Sequence, residues 1–156
     1  MNHENDDPLY LEDLRVGQRF TSSVYALSEE QIKAFAAEFD PQPFHLDNAA
    51  AQTSIFRGLA ASGWHTAAIT MRLLVTSKMR FAAGTIGLGG EIEWPLPVRP
   101  GDSLHVESEI TEISPSRTKP DRGVVTVRSV TFNQEGAEVQ RLIAKLLVFR
   151  RSQKSD

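Results

Sequence analysis

The chain has 156 residues, of which 40% are hydrophobic and 24% charged, a composition that suits one globular domain with its own core. The net charge is −3, and the basic residues are scattered, which excludes the basic footprint of a nucleic-acid-binding protein. Cysteine is absent and no apolar run approaches membrane-spanning length, so we expect a cytoplasmic protein without disulfides, thiolate metal sites or a membrane partner.

The two ends of the chain are polar. Residues 1–8 and 151–156 show no apolar periodicity, so we expect flexible termini around a single domain over residues 9–150. The first apolar stretch rich in strand-forming residues, 19–27, predicts a first strand.

A helix is predicted directly after this strand. Ser28 and Gln31 have the spacing of a capping box. Apolar residues then recur at helical spacing, at Ile32, Phe35, Ala36 and Phe39. The pattern predicts a helix that ends at Phe39 and presents Asp40 at its C-terminal end.

The stretch from Asp40 to His45 is the most informative part of the chain. Pro41 and Pro43 each disfavour the α conformation in the residue before them, which predicts a stiff loop. Asp40 and His45 supply a carboxylate and an imidazole, the side chains most used for proton transfer near neutral pH. From spacing alone, a helix-terminating Asp and a solvated or core-capping His are the commoner explanation.

Two more helices are predicted, a short one over residues 48–54 and a long one over residues 62–78. Ser62 can cap the long helix. Its apolar residues fall on more than one face; they are Trp64, Ala67, Ala68, Ile69, Met71, Leu73, Leu74 and Val75. Such a helix is usually surrounded, so we expect a sheet wrapped around it.

From Gly84 onward the apolar period changes to two. The strand-like runs are 88–94, 104–111, 124–132 and 139–149. With the first strand they predict an antiparallel sheet of about five strands and an α+β domain.

Several ordered motifs resemble those of the MaoC-like dehydratases, a family that includes the (R)-specific enoyl-CoA hydratases. The motifs are Glu12-Asp13-Leu14 with Val16-Gly17, Asp40-x4-His45-Leu46-Asp47, Ala61-Ser62-Gly63-Trp64, and Pro95-Leu96-Pro97-Val98-x2-Gly101-Asp102. They extend over nearly the whole chain. The resemblance implies a hotdog fold, a sheet wrapped around one long helix, and a homodimer that completes each site across its interface.

The resemblance also implies an activity, the reversible hydration of a 2-enoyl-CoA or related thioester to a 3-hydroxyacyl thioester. Asp40 and His45 match the family's catalytic dyad, and Gly63 matches the glycine whose N–H binds the thioester carbonyl oxygen. Hydration places negative charge on that oxygen, which a helix N-terminus can stabilise. The implied small-molecule partner is an acyl-CoA substrate, with no metal and no separate cofactor.

Residues near these motifs are expected to contact the substrate. They are Gln42, Phe44, Arg57, Ser62, Trp64 and His65, with Lys78 and Arg80 as further candidates for the CoA phosphates. The family commonly carries Asn where Gln42 stands, His where Ser62 stands and Ser where Met71 stands. Because neighbouring groups set the orientation and pKa of a dyad, these departures predict an altered substrate or reaction direction.

Three other functions remain open at this point. A hotdog thioesterase is the nearest, although such relatives often keep a carboxylate on the central helix and residues 62–78 contain none. A non-catalytic acyl-thioester-binding module would leave Asp40 and His45 idle. A metal site from His45, Asp47 and His65 has no compact ligand spacing.

Overall fold

The structure is a computed structural model that describes residues 6–152. Its strands are β1 (Arg19–Thr21), β2 (Tyr25–Ala26), β3 (Ile86–Glu93), β4 (Ser103–Pro115), β5 (Arg122–Phe132) and β6 (Glu138–Phe149). Its helices are α1 (Glu29–Phe39), α2 (Pro43–Leu46), α3 (Asn48–Gln52) and α4 (Gly63–Val75), preceded by one 3-10 turn at Leu11–Asp13.

The strands form one antiparallel sheet in the order β1-β4-β5-β6-β3, with β2 also paired to β4. Helix α4 packs against this sheet with one face. The buried residues of α4 are His65, Thr66, Ile69, Thr70, Leu73 and Leu74. The sheet contributes Leu104, Val106, Ile110, Val125, Val127, Val139, Leu146 and Val148 to the same core. This architecture confirms the predicted α+β hotdog fold.

The predicted first strand is interrupted, which raises the strand count to six. The Ser22 amide donates to the Val106 carbonyl at 2.9 Å, and the Val106 amide donates to Ser22 Oγ at 2.8 Å. A side-chain oxygen thus takes the place of a backbone carbonyl in the ladder. The chain leaves regular pairing over residues 22–24 and rejoins β4 at Tyr25.

Helix α4 is shorter than predicted, and the sheet covers only one of its apolar faces. It ends at Val75 rather than at residue 78, with Thr76 as its C-cap. On the face turned away from the core, Trp64, Met71 and Val75 are 61%, 45% and 42% exposed. We call these three residues the α4 stripe. The sheet therefore covers α4 on one side, and the second apolar face is open in the single chain.

The shorter elements and the chain ends complete the description. The helix predicted over residues 48–54 is observed as α3, and Asp47 caps it by accepting from the Ala50 amide at 2.8 Å. The ends predicted to be flexible lie partly outside the described residues, but Arg151 donates two hydrogen bonds to the Asp13 carboxylate. Within residues 6–152, the helices are all too short or too polar to cross a membrane.

One prediction concerns the contact of β3 with β6. A Cβ at Gly90 would lie 2.2 Å from the Ile143 backbone oxygen, so Gly90→Ala must push the two strands apart. We expect Gly90→Ala to lower the free energy of unfolding by about 1–3 kcal/mol in urea denaturation. Gly87→Ala is the matched control, because nothing lies within 4 Å of a Cβ there. Equal stability of the two variants would contradict this strand register.

Candidate functional site

Asp40 lies where α1 ends, as predicted from the apolar pattern. Its amide donates to the Ala36 carbonyl at 2.9 Å, and Pro41 follows. Gln42 then fixes Asp40 twice, through its amide to the Asp40 carbonyl at 2.7 Å and through Nε2 to Oδ1 at 2.5 Å. The carboxylate is therefore held at a defined place by the chain that follows it.

His45 lies on α2, a single helical turn within the segment predicted as a loop. Pro43 begins that turn, where its fixed φ suits a helix and its missing N–H costs nothing. His45 is only 5% exposed. Its Nδ1 lies 2.6 Å from the Ala60 carbonyl oxygen, and its Nε2 lies 3.3 Å from Asp40 Oδ2. The structure thus brings the two predicted residues together.

The Ala60 contact decides that Nδ1 of the imidazole carries a hydrogen. A carbonyl oxygen only accepts hydrogen bonds, so Nδ1 must carry a hydrogen. A neutral ring would then turn the Nε2 lone pair toward the Asp40 carboxylate, which also only accepts. The pair is satisfied by a second proton on Nε2 or by a water molecule that lies beside the two groups and donates a hydrogen bond to each. Such a water would be polarised by both groups.

The electrostatics keep Asp40 ionised. Partial burial raises the pKa of Asp40, but hydrogen bonds from Ser62 and Gln42 and the nearby His45 outweigh it, so the net pKa lies below the usual value. Ser62 is fully buried, and its Oγ also accepts from the Trp64 amide at 3.3 Å as the N-cap of α4. One hydroxyl therefore connects the carboxylate to the start of α4.

The first amide of α4 is available to a ligand. The amides of Trp64, His65 and Thr66 are bonded to Ser62. Among the hydrogen bonds of residues 6–152, the Gly63 amide donates to none of the protein's acceptors. An unbonded N–H at a helix N-terminus is well suited to an anionic oxygen.

His45 and Gly63 line a cleft of about 450 Å³, within the size range of small-molecule sites, whereas Asp40 and Ser62 lie behind them and are not among its lining residues. Its lining residues are Gln42, Phe44, His45, Phe56, Ala61, Gly63, Thr66, Trp94, Pro95, Leu96, Pro97 and Val98. The walls are mostly apolar, with the polar groups supplied by Gln42, His45 and Thr66. A larger groove of about 710 Å³ beside Tyr10 and Phe149 is lined by none of the predicted site residues.

Sequence reasoning missed the residue that holds the segment before α4. Arg99 donates from Nη2 to the Phe56 carbonyl at 2.5 Å and from Nη1 to the carbonyls of Gly58 and Leu59 at 2.9 and 3.3 Å. These carbonyls lie one to four residues before Ala60, the partner of His45. Arg99 falls within the motif that ends at Gly101-Asp102, but nothing local indicates which carbonyls it reaches.

Some predicted substrate-binding residues lie away from the cleft. Trp64 belongs to the exposed α4 stripe, and His65 stacks on Phe35 with ring centroids 4.4 Å apart. Burial lowers the pKa of His65, and its Nδ1 has no hydrogen-bond partner. Neither residue lines the cleft.

The basic and metal-site candidates are likewise separated from the dyad. Lys78 and Arg80 follow the C-terminal end of α4, about 20 Å along the helix from Gly63, and Arg80 pairs with Asp6 at 3.0 Å. Within residues 6–152, the His, Asp and Glu side chains form no group of three able to hold a metal ion, so His45, Asp47 and His65 do not converge. Arg57 alone among the basic candidates adjoins a residue that lines the cleft.

Comparisons with known proteins agree with the fold. A model of the MaoC like domain matches residues 13–133. The crystal structure of a MaoC-like dehydratase from Rhodospirillum rubrum is 61% identical, with 93% of this chain and 99% of that chain covered and a TM-score of 0.91.

Two relatives compared by sequence are more distant. The (R)-specific enoyl-CoA hydratase of Aeromonas caviae is 32% identical over 127 residues, 81% of this chain and 89% of its own. The uncharacterised protein YdeM of Bacillus subtilis is 33% identical over 132 residues, 83% of this chain and 91% of its own.

A prediction follows for the pKa of Asp40. Ser62→Gly removes a hydrogen bond to the carboxylate and should raise the pKa of Asp40, measured by the pH dependence of its carboxyl ¹³C resonance. Glycine is a tolerable N-cap, so α4 should persist. Because the folded pKa is depressed, the stability advantage of the wild type exists above about pH 3.9 and is lost as pH falls through the folded pKa.

Ser28→Gly is the control, since it removes the capping hydroxyl of α1 at the end opposite Asp40. An Asp40 titration that moves equally in both variants would contradict a specific bond from Ser62.

Proposed function

The chain belongs to the MaoC-like domain family, and we propose that it reversibly hydrates a 2-enoyl-CoA or related thioester to the 3-hydroxyacyl thioester. The observation that carries this proposal is the approach of His45 Nε2 to Asp40 Oδ2, 3.3 Å apart, beside a cleft that the unbonded Gly63 amide also borders. A water-holding pair beside an oxyanion donor is what addition of water to a conjugated thioester requires.

The thioester carbonyl oxygen is proposed to bind the Gly63 amide. When water attacks C3, the electron pair of the C2=C3 bond moves toward the carbonyl and places negative charge on its oxygen. The Gly63 N–H and the positive end of α4 stabilise that charge more strongly than the neutral carbonyl of the substrate. The resulting preference for the enolate lowers the barrier of the chemical step.

The dyad supplies the protons. In its imidazolium form, His45 donates from Nε2 to the water oxygen, while Asp40 accepts a hydrogen of the same water. Asp40 removes that proton as the C3–O bond forms, and the enolate then takes the Nε2 proton at C2. A final transfer from Asp40 to Nε2 restores the starting state, and the reverse sequence is dehydration.

The rest of the cleft suits an acyl-thioester chain. Phe44, Phe56 and Trp94 with the Pro95-Leu96-Pro97 segment give apolar walls, while Gln42 orients the carboxylate. Arg57 adjoins Phe56 and is exposed, which makes it our proposed contact for a CoA phosphate. Its φ of 55° is the only positive value at a non-glycine residue among residues 6–152, and the Arg99 clamp supports that backbone.

The hydratase is favoured over a hotdog thioesterase by two features. Helix α4 contains no carboxylate to activate water beside the thioester carbonyl. The carboxylate at the site is that of Asp40, which pairs with the His45 imidazole. Such a pair can remove a proton from water and deliver another to the substrate.

We further propose that the protein is a homodimer. Among the described strands, β3 is an edge strand that pairs only with β6, and its Leu88 is 56% exposed. The α4 stripe adds a second apolar surface. Open strand edges and contiguous apolar patches are usually covered in soluble proteins, and a second copy would cover both at once.

The dyad prediction tests the activity. Asp40→Asn and His45→Ala should each reduce kcat by about two to four orders of magnitude, because each removes a positioned proton-transfer group. If one water is held by both, the double variant should resemble the worse single variant. The measurement is loss of the conjugated-thioester absorbance of 2-enoyl-CoA esters.

Circular dichroism and unfolding curves control for the fold in these variants. Single variants that keep full activity would overturn the dyad and favour the acyl-thioester-binding module. Multiplicative losses in the double variant would mean that Asp40 and His45 act in separate steps.

The dimer prediction uses the α4 stripe. Met71→Glu places a charge on the stripe without entering the core, so it should convert a dimer to a monomer by light scattering at micromolar concentration. Ala37→Glu, at an exposed position of α1, is the matched control and should remain dimeric. A monomeric wild-type protein would refute the proposal.

A further inference from the structure

A buried chain of polar side chains runs through the core to one wall of the cleft. Gln140 on β6 is fully buried, and its Oε1 accepts from Trp94 Nε1 at 3.0 Å. Its Nε2 donates to Thr70 Oγ1 on α4 at 3.0 Å. Thr70 Oγ1 in turn lies 2.7 Å from Thr131 Oγ1 on β5. The chain thus joins two strands, the central helix and the segment after β3.

The direction of these bonds is fixed by chemistry. The indole N–H only donates, so the amide oxygen of Gln140 must face Trp94 and the amide nitrogen must face Thr70. A fully buried glutamine is costly unless both ends are bonded, and an apolar residue of similar size would avoid that cost. Gln140 therefore fixes the orientation of Trp94 through a hydrogen bond, at a position where an apolar residue would be buried at lower cost.

Trp94 in that orientation lies directly against Gly63. A Cβ built on Gly63 would lie 2.7 Å from both Cδ2 and Cε2 of the indole and 3.0 Å from Cε3. The fused ring edge occupies the space of a side chain at the first residue of α4. The Trp64 ring, edge-on at 5.3 Å between centroids, packs against the same indole. The position of the Gly63 backbone is therefore limited by contact with the Trp94 indole.

We propose that Gln140 is a positioning residue, which acts through Trp94 to set the place of the Gly63 amide. The proposal rests on the function proposed above, in which that amide binds the developing oxyanion. Gln140 does not line the cleft. Displacement of a catalytic donor by about 1 Å can cost on the order of a hundredfold in rate. Loss of the buried hydrogen bond that holds the indole should therefore lower the rate measurably.

The first test needs no substrate. Gln140→Met keeps the side-chain length but loses both hydrogen bonds, and it should shift the ¹H–¹⁵N resonance of Gly63. Thr131→Val is the matched control, because it loses one bond at the far end of the chain and leaves Trp94 bonded to Gln140. In a Trp94→Phe background, Gln140→Met should no longer move Gly63. An unchanged Gly63 resonance in Gln140→Met would overturn the proposal.

The second test is kinetic. Gln140→Met should lower kcat at least about tenfold with KM changed less than about threefold, since the loss concerns the transition state. Trp94→Phe removes the indole donor from a partly exposed residue and should give a similar loss. The double variant should be no worse than Trp94→Phe alone, whereas equal losses in Gln140→Met and Thr131→Val would indicate a merely structural role.

A conservative variant and an activity control separate the possible failures. Gln140→Glu keeps an acceptor for the Trp94 N–H, so its Gly63 resonance should stay closer to the wild type than that of Gln140→Met. If Gln140→Met does not fold, Trp94→Phe with unchanged kcat would overturn the proposal. A wild-type protein without hydratase activity would remove the proposed function, while the resonances would still decide whether Gln140 positions Gly63.

Discussion

The hydrogen bond between His45 Nδ1 and the Ala60 carbonyl is the interaction on which the site depends. It leaves Nε2 as the only ring nitrogen able to exchange a proton, and it points that atom at Asp40. A second hydrogen bond joins the same two segments, from the Ala60 amide to the Phe44 carbonyl at 3.2 Å. The turn that carries His45 and the segment that precedes α4 therefore brace each other.

That segment is in turn anchored to the rest of the protein. The Ala61 amide donates to the Val98 carbonyl at 2.9 Å, and the adjacent Arg99 clamps the carbonyls just before Ala60. Two residues later the chain starts α4 at Gly63. The dyad and the unbonded amide thus share one support, so their separation does not depend on the conformation of a free loop. Rigid support of this kind is what positioned acid–base chemistry needs.

Local sequence signals accounted for much of this arrangement. The capping box at Ser28 and the apolar period placed the end of α1 at Phe39, and Ser62 marked the start of α4. These signals act within one turn of helix, so they can be recognised in the chain itself. The short turn α2 was missed, because Pro43 was interpreted only as a helix breaker although it also begins helices well.

The other missed features depend on contacts between distant parts of the chain. The interruption of the first strand at Ser22 depends on a hydrogen bond to Val106. Arg99 donates to carbonyls about 40 residues away, and Gln140 accepts from Trp94, 46 residues away. The exposure of the α4 stripe depends on which face the sheet covers, which apolar periodicity alone does not specify. Long-range pairing determines these positions, and one sequence contains no local sign of it.

The most direct test of the proposed hydration is the fate of labelled water. The wild-type protein is incubated with a 2-enoyl-CoA in H₂¹⁸O, and the products are analysed by mass spectrometry and by a thiol reagent. We predict one ¹⁸O in the C3 hydroxyl group of an intact 3-hydroxyacyl-CoA, without release of free CoA. An ¹⁸O label in a carboxylate together with free CoA thiol, or an enoyl-CoA that remains unchanged, would contradict it.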